Sequence, residues 1–262
     1  MSVSAIDTES RGRRSDISDA EWDARVELAA CYRLIQRLGM DDLIYTHISA
    51  RVPGPEHHFL INPFGLLYDE VTASNLVKVD LDGKIIGDSD YGINPAGFVI
   101  HSCVHRDLPH IGCVLHTHTV AGCAVSAQED GLLPLTQTAM IFHGQVAYHE
   151  YEGPALDFDE QQRLIADLGD KPVMILRNHG LLTAGRTVPE AFIAMYYMEQ
   201  ACRMQVAAMA GGAAKLHMPP AGVPEHTAEL IRFGGEFNSS PGSREFAALV
   251  RRMDREDTSY RM

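Results

Sequence analysis

Residues 111–118 read Ile111-Gly112-Cys113-Val114-Leu115-His116-Thr117-His118, an apolar run that closes on two histidines separated by one residue. A short apolar run of this kind fits a buried strand, and side chains two apart on a strand leave it from the same face. His116 and His118 are therefore spaced to close on one ion. Histidines are also found satisfied in cores and at strand ends, so the pair needs a further ligand before it means a metal site. A second run supplies one. Val173-Met174-Ile175-Leu176 is apolar too and leads into Arg177-Asn178-His179-Gly180, with glycine permitting a tight turn after the histidine. Three imidazoles at the ends of two neighbouring strands would form the protein half of a catalytic metal site and leave positions open for water or substrate.

Working outward, 262 residues with 45% hydrophobic and 22% charged residues are ordinary for a globular protein and enough for one substantial core. No apolar stretch approaches the roughly 20 residues that cross a bilayer, and Met1 to Arg14 lacks the apolar centre of a secretory signal. A cytoplasmic protein is expected. Five cysteines in no CxxC pair suggest reduced core residues and neither a disulfide framework nor a thiolate zinc site. A net charge of -13 argues against nucleic acid or anionic membrane as a partner, since binding phosphate needs a basic face.

Residues 1–17 lack periodicity and are expected to be a disordered or partner-ordered tail. Ser18-Asp19-Ala20-Glu21 has a capping-box pattern and opens a helix with Trp22, Val26, Ala29, Ala30 and Leu34 on one face and Gly39 as its stop. Three strands follow, over 43–51, 59–63 and 76–80, with a hairpin-like turn at 81–84 and the look of an antiparallel portion of a mixed sheet. Asn94-Pro95 starts a helix in which His101 and His105, four apart, share a face. Thr119 caps a helix of small residues whose first turn points its free N–H groups toward the metal region. A strand at 146–149 and a helix from Asp157 to Gly169 come next, and Thr187-Val188-Pro189-Glu190 opens a long amphipathic helix. Residues 18–212 read as one domain. Beyond it, 213–262 read as a C-terminal tail with a weak helix near Arg244 to Met253, packing on its own or a neighbouring subunit.

The segments Leu60-Ile61-Asn62-Pro63-Phe64-Gly65, Phe98 to His105 leading through Pro109 to His116-Thr117-His118, and Asn178-His179-Gly180-Leu181 occur in an order and at separations that resemble the class II aldolase/adducin superfamily over roughly residues 20–212. The resemblance implies an α/β fold, a three-layer αβα sandwich around a central, mainly antiparallel sheet. It also implies a divalent metal ion on His116, His118 and His179, zinc first and Fe(II) as the alternative, and a homo-oligomer, often a fourfold tetramer, with sites at subunit interfaces. It places Asn62, Phe64, Gly65, Gly97 and Thr138 toward the substrate.

Several departures from the family pattern bear on chemistry. Sugar-phosphate aldolases of the family carry a glutamate, metal ligand and acid/base, nineteen positions ahead of the first histidine; here that position is Gly97. Pro95 and Ala96 stand where serines grip the substrate phosphate, Phe64 replaces a hydroxyl residue, His47 replaces an asparagine, and Thr138 aligns with the tyrosine acid. Three neutral imidazoles would offset less of the ion's charge and leave more of its coordination open. Phe64, Leu66, Phe98 and Phe142 are expected to make the pocket apolar. The expected activity is that of a metal-dependent lyase, breaking a C–C bond of an unphosphorylated oxo or hydroxy carboxylate by aldol-type cleavage or decarboxylation, with His47 or His101 relaying the proton. Two alternatives are Fe(II)-dependent oxidative cleavage of an aromatic keto acid and a non-catalytic, adducin-like interaction module.

Overall fold

Strands β1 (His47–Arg51), β2 (Phe59–Ile61), β3 (Val77–Val79), β4 (Cys113–Thr117), β5 (Val146–His149), β6 (Val173–Leu176) and β7 (Gly180–Gly185) hydrogen-bond into one sheet in the order β3-β2-β1-β4-β7-β6-β5. The computed structural model describes residues 17–54, 57–153, 159–231 and 240–262. All pairings are antiparallel except β5 with β6. The helices are α1 (Asp19–Arg37), α2 (Pro95–Asp107), α3 (Val120–Ser126), α4 (Gln137–Met140), α5 (Asp159–Leu168), α6 (Val188–Met209), α7 (Val223–Ile231) and α8 (Ser243–Met253).

Strand alternation sorts side chains into two cores. Cys113 and Leu115 of β4, with Ile48 and Ala50 of β1, pack under α1, α3, α6 and α8. Val114, between them, faces the other way, with Met174 and Leu182, into the layer of α2 and α5. The result is an αβα sandwich with a mainly antiparallel central sheet. By the same parity His47 and Ser49 of β1 and His116 of β4 face α2.

Most helix starts follow their capping residues. Ser18 accepts the Glu21 N–H at 3.2 Å, Asn94 accepts that of Ala96 at 3.1 Å ahead of Pro95, and Thr187 accepts that of Glu190 at 3.3 Å. The capping box at Ser18 is only half made, because Glu21 turns to Arg25 and Lys78 instead, 2.9 and 2.8 Å away. Residues 28–35 of α1 are buried all round, while the expected face residues Trp22 and Val26 are half-buried. The cause is at the far end of the chain, where α8 and the 3-10 turn Ser259–Arg261 cover the outer side of α1. The chain end is pinned there, with the Tyr260 carbonyl accepting the Ala73 N–H at 2.8 Å.

Three expectations need correction. The strand expected from residue 43 begins at His47, because Leu43 sits at φ +50° in a turn with its side chain exposed. α7 lies in a region where only one later helix was expected. Most consequentially, β6 is not the neighbour of β4: β7 lies between them. The expected tail, apart from Ile17, and the expected helix start at Asp157 lie outside the described residues.

Candidate metal centre

His116 leaves the end of β4, and its Nδ1 donates to the Leu181 carbonyl of β7 at 2.9 Å, so Nε2 carries the lone pair. His118, just past the strand, donates from Nδ1 to the Asp42 carboxylate, also at 2.9 Å, and turns its Nε2 toward the other two rings. His179 sits in the turn between β6 and β7. The tight backbone there is Asn178, at φ +55°, and not the glycine that follows. Gly180 is required for another reason: a Cβ on it would lie 2.4 Å from the Thr117 carbonyl, so only glycine lets this turn close against β4.

The three Nε2 atoms converge. His116 and His118 approach to 2.8 Å, His118 and His179 to 2.9 Å, and the candidate ligand atoms all lie within 4.8 Å of one another. Burial pushes the pKa of His116 well below the ordinary histidine range and that of His179 down to about 4, so neither carries a second proton at neutral pH. Three ring nitrogens packed this closely, with no carbonyl or carboxylate facing any of the three Nε2 atoms in the described hydrogen bonds, are an arrangement that one shared cation would satisfy. That donor set, three imidazoles with one second nitrogen held by a carbonyl and another by a carboxylate, fits a divalent transition metal ion.

The surroundings are held from several elements. Thr119, which caps α3, donates to the buried Glu199 of α6 at 2.5 Å. Cys123 donates from Sγ to the His179 carbonyl at 2.9 Å. The histidines open into a cleft of about 330 Å³ whose other walls include Tyr45, Ile100 and Tyr151, and no described residue lining it is lysine or arginine. A larger groove, about 430 Å³, runs past Ile111, Lys171 and Arg186 and contains none of these histidines.

The residues expected at the site separate into two groups. His116, His118, His179 and His47 line the cleft together. His101 is fully buried behind His47, with both ring nitrogens engaged, so it is not open to substrate. Asn62 is turned inward onto the Tyr32 hydroxyl at 3.0 Å, and Phe64, Gly65 and Thr138 are not in the cleft wall of the single chain. The expected apolar lining is also corrected: Phe98 stacks over Phe59 and Phe142 is sealed in the core, and Tyr45, Ile100 and Tyr151 take that role. Asp42 gave no sequence signal, since an acidic pair before a strand is common. Ser49 did carry one, lying two residues from His47 on the same strand face.

Residues 26–206 match the sequence profile described as the class II aldolase and adducin N-terminal domain. The chain belongs to this family. It is 53% identical to the aldolase II superfamily protein from Pseudomonas syringae, whose crystal structure superposes with a TM-score of 0.90 over 96% of this chain and 100% of that one. An L-fuculose 1-phosphate aldolase from Glaciozyma antarctica is 27% identical, with a TM-score of 0.81 over 96% of this chain and 98% of the other. Alpha-adducin of Rattus norvegicus is 45% identical over 88% of this chain, which spans 33% of that longer protein. No described helix is long and apolar enough to cross a membrane.

Gly97 and His47 share one volume. A Cβ at residue 97 would lie 2.6 Å from His47 Cδ2 and 2.9 Å from its Nε2. The imidazole fills the volume of the side chain that glycine lacks.

Proposed function

We propose that the chain is a metal-dependent lyase that breaks a C–C bond, by aldol-type cleavage or decarboxylation, in an unphosphorylated oxo or hydroxy carboxylate. The convergence of three Nε2 atoms on the wall of an open cleft supports this reading. His116, His118 and His179 would hold a divalent ion, zinc by the chemistry of three neutral nitrogens, which supplies Lewis acidity toward substrate oxygens. A cleft wall with no lysine or arginine among its described residues offers no cationic grip for a phosphate there, in keeping with an unphosphorylated substrate.

His47 is the acid/base in this reading. Its ring stands 5.1 Å from that of His116, it lines the cleft, and it occupies the volume next to the position that bears a glutamate in the family's aldolases. Its Nε2 is the atom that takes up and returns the proton of the reacting carbon or oxygen. His101, bound to His47 at 2.8 Å, positions that ring and does not meet the substrate. Exposed Leu43, Tyr45, Val120 and Tyr151, in or beside the cleft wall, support assembly into a homo-oligomer around the cleft, a tetramer by family likeness. The likeness to alpha-adducin supports a second reading, a non-catalytic interaction module.

Elemental analysis of protein purified without chelators, repeated on His116→Ala, tests the premise. The wild type is expected to hold about one zinc per chain, as a three-histidine site would, and the variant almost none; equal content in both sinks the lyase and favours the module. Loaded protein is then given pyruvate in D2O, with deuterium entry into the methyl group followed by NMR. Exchange that His47→Ala abolishes is the expected result. Bound iron with oxygen uptake would move the assignment to oxidative cleavage.

A further inference from the structure

Behind His47 the structure holds an unbroken line of polar atoms. His47 Nδ1 meets His101 Nε2 at 2.8 Å, His101 Nδ1 meets the Ser49 hydroxyl at 2.6 Å, and that hydroxyl meets His105 Nε2 at 2.7 Å. All four residues are at most 3% exposed. The line ends at His105 Nδ1, which has no well-formed hydrogen bond; the backbone acceptor beside this ring is the carbonyl of Ile111, which also accepts from Arg51 Nε at 3.3 Å.

Each link has one hydrogen for two heavy atoms, so choosing it at one end chooses it throughout. A carbonyl oxygen only accepts. A bare Nδ1 on His105 would set two lone pairs against each other, so the hydrogen of His105 belongs on Nδ1. Its Nε2 then accepts from the Ser49 hydroxyl, whose oxygen accepts from His101 Nδ1–H. His101 Nε2 is bare and accepts from His47 Nδ1–H, and the one nitrogen of the line left with neither a hydrogen nor a donor is His47 Nε2. Burial disfavours an extra proton on His101 and His105, which keeps the interior of the line neutral with a single hydrogen per link.

We infer that Ser49, His101 and His105 are positioning residues that transmit the direction of the Ile111 carbonyl to His47 and fix its tautomer, so that a bare Nε2 faces the cleft. This rests on the reading of His47 as the acid/base. Without such a line a neutral imidazole populates both tautomers, and the one with hydrogen on Nε2 cannot accept a proton there. Phe59, stacked on the His105 ring at 4.8 Å, and Arg51, which donates to the His105 carbonyl at 2.6 Å, keep the far end from turning over.

Neutron diffraction from deuterium-exchanged crystals of the full chain tests this without any substrate. The expected map has deuterium on Nδ1 of His105, His101 and His47 and none on His47 Nε2. Deuterium on His47 Nε2 overturns the inference and leaves the metal reading standing; loss of the metal site in the elemental analysis does the reverse. In crystals of Ser49→Ala the line is cut, and deuterium is expected to divide between both nitrogens of His47. An unchanged His47 there overturns the role of Ser49, and if that variant does not crystallise the wild-type map alone decides the direction.

Discussion

Gly97 and His47 compete for one volume: a Cβ on the glycine would come within 2.6 Å of the histidine ring, closer than real Cβ contacts allow. Gly97→Glu alone is expected to destabilise the protein by about 1–3 kcal/mol, the usual range for overpacking a filled site. His47→Asn empties the same space. The double variant is expected to recover more than half of the loss, a coupling of about 1 kcal/mol or more. Urea melts of the four proteins read this directly, and additive losses would show that the two residues do not share the space.

Asp42 holds His118 from outside the ligand set, at 2.9 Å. Carboxylates that orient a ligating imidazole contribute roughly 10–100-fold to metal affinity. Asp42→Ala is expected to raise the zinc dissociation constant by that factor while leaving the fold intact. Competition with a chromophoric chelator measures it, and an unchanged constant would assign Asp42 to the surface alone.

Acid is expected to unfold the metal-free protein early. Burial lowers the pKa of His47, His101, His105 and His116, with His105 brought to about 3 from 6.5. Between those values the unfolded chain binds more protons than the folded one, so stability rises with pH and is lost as pH falls below about 6.5. Each such histidine contributes a slope of about 1.4 kcal/mol per pH unit. Urea midpoints in the presence of chelator at pH 7.5, 6.5 and 5.5 should fall slightly across the first interval and about three times as far across the second. A flat profile would mean that these rings are protonated in the native state.

Tyr32 ties α1 to the strands that carry the site. Its buried hydroxyl accepts the N–H groups of Ile48 at 2.8 Å and Asn62 at 3.0 Å, and it meets the Ile48 carbonyl and the Asn62 side chain as well. Tyr32→Phe removes these bonds inside the core, and leaving such groups unpaired costs about 1–3 kcal/mol. Metal content should be retained, because no ligand is bonded to this hydroxyl. Loss of metal with unchanged stability would reverse the assignment.

The candidate ligand set was legible because it depends on short-range rules. Alternation along β4 places His116 and the residue two beyond it toward one side, and the turn after β6 delivers His179, whatever the rest of the chain does. Helix starts at Ser18, Asn94 and Thr187 were legible for the same reason, since a cap acts within three residues. Strand β7 was missed although it sits between β4 and β6, because Leu181 to Gly185 follow the turn so closely that they read as its continuation.

What the sequence by itself determined, then, was the identity of three candidate ligands, the caps, and the absence of a glutamate at position 97. Only the tertiary structure decided that His47 fills the place left at Gly97, that Asp42 backs His118, and that Ser49 and His105 stand in line behind His101. These depend on the pairing register of β1 against β4 and on which face of α2 meets the sheet. Contacts between residues some fifty positions apart are set by how elements pack, and no local pattern carries that information.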